Sequence, residues 1–150
     1  MIAHQKLQRD RIALEASDDL FGDYWRDINT DISNAVVKET TRETAQAIIE
    51  KYEWLGCLAA VSYHYYGIFF DNVCAGVVCY GAEYSENLGH WSKFGYEGKM
   101  ILLNRGACVH WAHAHSASKL IRGSMKLLPD KYEVVTATVD DLAGEIGTIY

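Results

Sequence analysis

The sequence predicts a single α/β domain built on a mixed sheet, and three stretches carry that prediction. YHYYGIFF (63–70) and VCAGVVCYG (73–81) are rich in β-branched and aromatic residues. Asp71 and Asn72, both turn formers, separate them, which is the pattern of a β-hairpin. KMILLNRGACV (99–109), a helical run from Ser116 to Leu128 and YEVVTATV (132–139) then read as strand, helix and strand. A meander that runs into such a unit gives a mixed sheet, with a right-handed crossover joining the parallel pair.

Taken in order, residues 1 to about 30 are polar, with Ile2, Leu7, Ile12, Leu14, Leu20 and Phe21 spaced as in one loosely amphipathic helix. Thr40 and Glu43 have capping-box spacing, and Ala45, Ile48, Ile49 and Tyr52 recur at helical intervals toward an end near Gly56. Gly67 and Gly76 inside the hairpin mark bends or a close approach of backbone or ligand. Residues 82–97, rich in Gly, Ser, Asn and aromatics, read as a long functional loop. The third strand is interrupted by the polar Asn104, Arg105 and Gly106. The helix over 116–128 should turn Leu120, Ile121, Met125, Leu127 and Leu128 inward, leaving Lys119, Arg122 and Lys126 as a basic stripe. Pro129 closes it, and the β-branched strand over 132–139 reads as buried on both faces. Asp140 follows at its carboxyl end, and GEIGTIY (144–150) reads as the start of another helix, so the domain is expected to be truncated at the C-terminus.

Composition narrows the function classes. A chain of 150 residues that is 49% apolar can bury a substantial core. No apolar run approaches the roughly 18 residues of a membrane span, and the start lacks the apolar centre of a signal peptide. A cytoplasmic protein with no membrane partner is expected. The net charge of −6 argues against a strongly basic, non-specific DNA binder, whose affinity rests on neutralising phosphates. A local basic patch remains compatible with it. Cys57, Cys74, Cys79 and Cys108 form no CxxC pair and read as reduced core thiols.

The chemistry concentrates in CVHWAHAHSASK (108–119). In an extended segment His113 and His115 share a face and are the candidate metal ligands, although neither HExxH nor a paired CxxC accompanies them. Structural histidines at a strand end, or histidines that contact a substrate, are the alternatives. Ser116 or Ser118 falls where the helix should start, and serine is a favoured N-cap. Free N–H groups and the helix dipole attract phosphate there, and Lys119 and Arg122 add positive charge. Ser116, Ser118, Lys119 and Arg122 thus form a candidate cradle for a pyrophosphate such as that of coenzyme A, with an ordinary cap as the plainer reading. The glycine-rich QxxGxG/A-like turn usual in acetyltransferases is missing. Arg105 in an apolar strand needs an anionic partner. Asp140 is a candidate general base or orienter, or else a turn-forming Asp. Glu53 and Trp54 put an acid and a large aromatic at a helix end, while Tyr63, Tyr65 and Tyr66 lie on strands and read mostly as core.

The element order resembles the fold of GCN5-related N-acetyltransferases (GNAT), in which a crevice opens where central strands splay and a helix begins. EWLG (53–56), YYGIFF (65–70), AGVVCYG (75–81), the run 102–128 and VTATVDDLAGEIGTIY (135–150) together resemble the Mom family of phage DNA-modification proteins, over roughly residues 41 to 150. The first 40 residues are read as a variable helical segment. The resemblance implies a divergent GNAT-like acyltransferase fold that adds a carbamoylmethyl-type group to the exocyclic amine of adenine in DNA. Such a modification would protect phage DNA from host restriction. Carried over by position, it marks Arg105, Ser118 and Asp140, then Glu53 and Tyr66, and places Tyr150 in the same terminal motif. It implies an acyl-CoA or related donor, DNA as substrate and iron as a further candidate cofactor, and leaves a homodimer open. That amine is a poor nucleophile, so a base such as Asp140 or Glu53 and a donor such as Ser118 or a backbone N–H would be needed. Reaching it in a duplex requires base flipping onto an aromatic surface, for which Trp54, Tyr66 and Trp91 are candidates. An acyl-CoA-dependent N-acyltransferase for a small amine or protein, and a non-catalytic binding module, are the competing readings.

Overall fold

In the computed structural model, which describes residues 2–17 and 25–145, Asp71 and Asn72 both take left-handed backbone, with φ of 45° and 66°. Their short polar side chains tolerate that region, and two such residues in succession give a turn whose twist matches the strands it joins. The turn connects β2 (Ser62–Phe70) to β3 (Val73–Gly81), the hairpin expected from the sequence. A short strand, β1 (Val36–Glu39), pairs antiparallel with β2; the sequence reading assigned no element there. β4 (Met100–Cys108) runs antiparallel to β3, and β5 (Val134–Ala137) pairs parallel with β4. The order β1-β2-β3-β4-β5 is the predicted mixed α/β sheet.

Four α-helices accompany it among the described residues: α1 (His4–Ser17), α2 (Arg42–Tyr52), α3 (Ser85–Ser92) and α4 (Ser116–Met125). None is long and apolar enough to cross a membrane. α2 packs on β3 and β4, and α4 on β1, β2 and β3, around a core that includes Ile49, Ile68, Phe70, Val77, Ile101 and Leu120.

Several expectations change. The cap of α2 is Thr41, whose Oγ1 accepts from the Thr44 N–H at 3.2 Å; Thr40 instead donates its N–H to the Tyr65 carbonyl beside the sheet. The loop over 82–97 contains α3. β5 is half-buried rather than enclosed, because it lies at the sheet edge with one strand neighbour. On α4, Met125 and Leu127 are exposed and the inward positions include Ser116, Leu120 and Ser124. Gly123 is small because β1 runs close beneath, where a Cβ would come within 2.9 Å of the Val37 side chain, and Ser124 faces Tyr80 of β3, their hydroxyls 2.7 Å apart. The single N-terminal helix ends at Ser17; Leu20 and Phe21 lie outside the described residues, as does GEIGTIY from Ile146 onward.

Two details of β4 position the site. Cys79 faces Arg105 but Tyr80 faces Leu103, so Asn104 is an extra, bulged residue. A bulge bends its strand and re-aims the side chains beside it, which explains the polar interruption in an apolar strand. The Asn104 amide is anchored by donating to the Val61 carbonyl at 3.0 Å. In addition, pairing with β5 stops at Leu103 and Ala137, while β4 continues to Cys108. Beyond that point the two chains line opposite parts of one cleft.

Candidate functional site

The cleft has a volume of about 590 Å³. Its floor is the far half of β4, and the segment after β5, the end of α2, the start of α4 and the α1 helix wall it. The residues that could do chemistry enter from different elements.

Glu53 terminates α2 and is only 7% exposed. Its Oε2 accepts from the Leu55 N–H at 3.1 Å, and its Oε1 lies 3.9 Å from Arg105 Nε. Burial pushes its carboxyl above the usual carboxylate range, and the Arg105 guanidinium opposes that rise. Arg105, aimed by the bulge, donates from Nε to the Cys57 carbonyl at 3.0 Å and from a terminal nitrogen to the Asn104 carbonyl at 2.6 Å. The anionic partner that its position in an apolar strand demands is therefore Glu53.

Asp140 also lines the cleft but is exposed, and its Oδ1 accepts from the Leu142 and Ala143 N–H groups at 2.9 and 3.2 Å. The carboxylate thus shapes a turn at the cleft mouth. Glu145 ties the mouth together: one oxygen accepts from the Asp140 N–H at 3.0 Å and the other from the Trp54 indole N–H at 3.0 Å. Trp54 lines the cleft, with the His4 ring edge-on against it at 5.2 Å. Gln5, Lys6 and Arg9 of α1 complete the wall. The sequence reading missed Glu145 and all three α1 residues. GEIG gave a faint signal for Glu145, and nothing local marked the other three.

Other candidates lie elsewhere. Tyr66 is completely buried, and its hydroxyl donates to the Leu127 carbonyl at 3.0 Å, away from the cleft. The N-cap of α4 is His115, one residue earlier than expected, so Ser116 is turned into the protein and Ser118 outward. Lys119 donates to the Ile32 carbonyl at 2.6 Å, and Arg122 is exposed; neither lines the cleft. The basic stripe therefore does not form the expected cradle. The α4 residues on the cleft are Ala117, Leu120 and Ile121, preceded by Ala114. Trp91 clusters with His90, Phe94 and Tyr96 outside the cleft.

His113 and His115 do come together, with ring centroids 5.3 Å apart, but His113 Nδ1 is occupied by the His115 N–H at 3.1 Å. Cys108 is no thiolate, because burial pushes its thiol up to about 12. Among the described residues no three His, Cys, Asp or Glu side chains are placed to hold a metal ion. These donors do not fit an iron centre.

Comparison with known proteins adds a family. The Mom protein family matches residues 34–150. No curated protein matches the sequence. Among solved structures, the chain is similar to an aminoglycoside acetyltransferase from an uncultured soil metagenomic sample, crystallised in complex with sisomicin. The two share 11% identity with a TM-score of 0.48, over 73% of this chain and 80% of that one.

Proposed function

The chain belongs to the Mom protein family, and from that premise we propose that it is a DNA-modifying group transferase that adds a carbamoylmethyl-type group to the exocyclic amine of adenine. The observation that carries the chemical part of this reading is the buried Glu53 carboxylate beside the half-buried Arg105 in a cleft opened by the divergence of β4 and β5. The adenine amine loses its lone pair to the ring, so it attacks an electrophilic carbon only as its proton is drawn away. Glu53 is the carboxylate suited to accept that proton. Its affinity for a proton is raised by burial, which makes it a stronger base than an exposed glutamate. Arg105 keeps the carboxylate oriented and offers positive charge to negative charge that develops beside it. Asp140 and Glu145 hold the cleft mouth, and the indole of Trp54 offers the face on which an extruded base would stack.

An acyl-CoA-related donor would supply the electrophilic carbon. Plain acyl transfer would leave an amide, so the amine attacks a methylene carbon of the donor. The bond from that carbon to its leaving group breaks as the N–C bond forms, the leaving group departing with the electron pair. The donor's phosphates would meet the start of α4, where Ala114 and Ala117 border the cleft and the helix dipole favours negative charge. The cations that line the cleft are Lys6 and Arg9 of α1 and Arg105 of β4 rather than Lys119 and Arg122.

The test is nucleoside mass spectrometry of DNA from bacteria that express the chain. A modified adenosine should appear, and Glu53→Gln should lower it by about a hundredfold or more, the usual contribution of a positioned base. Unmodified DNA together with acyl-CoA binding would favour an N-acyltransferase for another amine, and would sink the DNA reading.

A further inference from the structure

Gln5 reaches from α1 into the framework of the site. Its side-chain amide donates to the Tyr52 carbonyl at 2.6 Å and accepts from the Trp54 N–H at 3.1 Å. Those two groups belong to the residues on either side of Glu53, so one planar amide brackets the peptide that carries the buried carboxylate. The bracket sits at a weak place. Tyr52 is the last residue of α2, and Glu53 has already turned to extended backbone, with φ −90° and ψ 138°. Carbonyls in a last helical turn have no partner within the helix. Gln5 supplies that partner and holds the departing chain with the same group.

The rest of α1 is attached in the same manner. His4 donates its N–H to the Ala143 carbonyl at 2.9 Å, and Gln8 reaches the Lys51 carbonyl at 3.0 Å. Arg9 donates to the His110 and Ala112 carbonyls at 3.2 and 3.0 Å. Ile12 is deeply buried, but Leu7 and Leu14 are exposed. A helix added only for stability would bury an apolar stripe. This one directs polar side chains at backbone groups around the cleft, and it lies outside the family-matched residues 34–150.

We propose that Gln5 is a positioning residue: it fixes the Glu53 carboxylate in the cleft and makes the N-terminal helix part of the transfer site. The proposal rests on the reading of Glu53 as the acceptor of the amine proton. Gln5→Met keeps the length of the side chain and removes both hydrogen bonds, and Leu14→Ala on the exposed side of α1 is the control. The first readout is the Glu53 carboxyl titration by carbon NMR of the intact protein, assigned with Glu53→Gln, which needs neither donor nor DNA. The charged groups around it are Arg105 from β4, Glu145 and Asp140 from the segment after β5, and Lys6 and Arg9 from α1; Gln5→Met alters none of them. A released carboxyl meets more water, so its midpoint should move down toward the ordinary glutamate value. The second readout is modified adenosine in host DNA, which should fall roughly ten- to a hundredfold, as misplacement of a reacting group by about 1 Å does. Melting should stay close to that of Leu14→Ala. An unmoved titration overturns the proposal whatever the DNA shows, and so does a moved titration with undiminished modification. Undiminished modification in Glu53→Gln would instead remove the underlying assignment of Glu53.

Discussion

Tyr66 is fully buried, with its ring edge-on to Tyr80 at 5.9 Å and its hydroxyl on the Leu127 carbonyl. Its resemblance-based candidacy for catalysis therefore meets a structural role that accounts for every polar atom it has. Tyr66→Phe should cost about 1 kcal/mol, the net value of one hydrogen bond, and leave modified adenosine in host DNA unchanged. Urea melts and the nucleoside assay check the two halves; a lost modification with intact stability would restore Tyr66 to the site. Arg105 and Glu53 were legible because a charge in an apolar strand, or beside a tryptophan at a helix end, is costly without a reason. The serines misled because a one-residue offset at the start of α4 puts His115 at the cap and sends Ser116 and Ser118 to different sides. Gln5 and Glu145 were illegible for a different cause. Each meets the site across a long sequence separation, Gln5 at Trp54 and Glu145 at the Trp54 indole, and no local pattern encodes such contacts.

At the scale of elements, the hairpin was readable because its determinants are two adjacent residues and two flanking patterns. Asp71 is additionally fixed by accepting the Asn29 N–H at 2.8 Å, so the turn's tolerance for change lies at Asn72. Asn72 has φ 66°, where glycine is free of strain and a β-branched residue is not. Asn72→Gly should match or exceed wild-type stability by up to about 1 kcal/mol, whereas Asn72→Val should lose about 1–2 kcal/mol. Equal urea midpoints for the two variants would show that the turn carries no such strain. The inward face of α4 was misread because its small residues answer to distant partners, Gly123 to β1, itself too short to announce itself in the sequence, and Ser124 to the Tyr80 hydroxyl. β5 was misread because a run of β-branched residues encodes strand propensity but not position in the sheet.

Over the whole molecule, burial sets opposing dependences on pH. Both ring nitrogens of His110 are buried without a partner, and the ring lies between Tyr52, stacked at 6.0 Å, and Trp25, edge-on at 5.2 Å. Burial, with the nearby Lys51 and Arg9 charges, depresses its affinity for a proton, and burial with Lys131 does the same to His64. The unfolded chain therefore takes up protons on these groups near their ordinary value of 6.5 while the folded chain resists. Their contribution is intact above that pH and is lost as pH falls toward the depressed folded values. Glu53 acts in the opposite sense. Its raised affinity favours the protonated folded form, so stability is gained as pH falls through the raised value toward its ordinary 4.5. The melting temperature should then decline from pH 7 to about 5.5, driven by the two histidines. His110→Phe, which keeps an aromatic ring between Tyr52 and Trp25, should flatten the decline. Glu53→Gln should remove the gain that wild type shows as pH falls further, through the raised Glu53 value toward 4.5. Calorimetric scans from pH 7 down to about 4.5 read all three proteins; a His110→Phe slope equal to wild type above about pH 5.5 would show that the buried imidazole does not resist protonation.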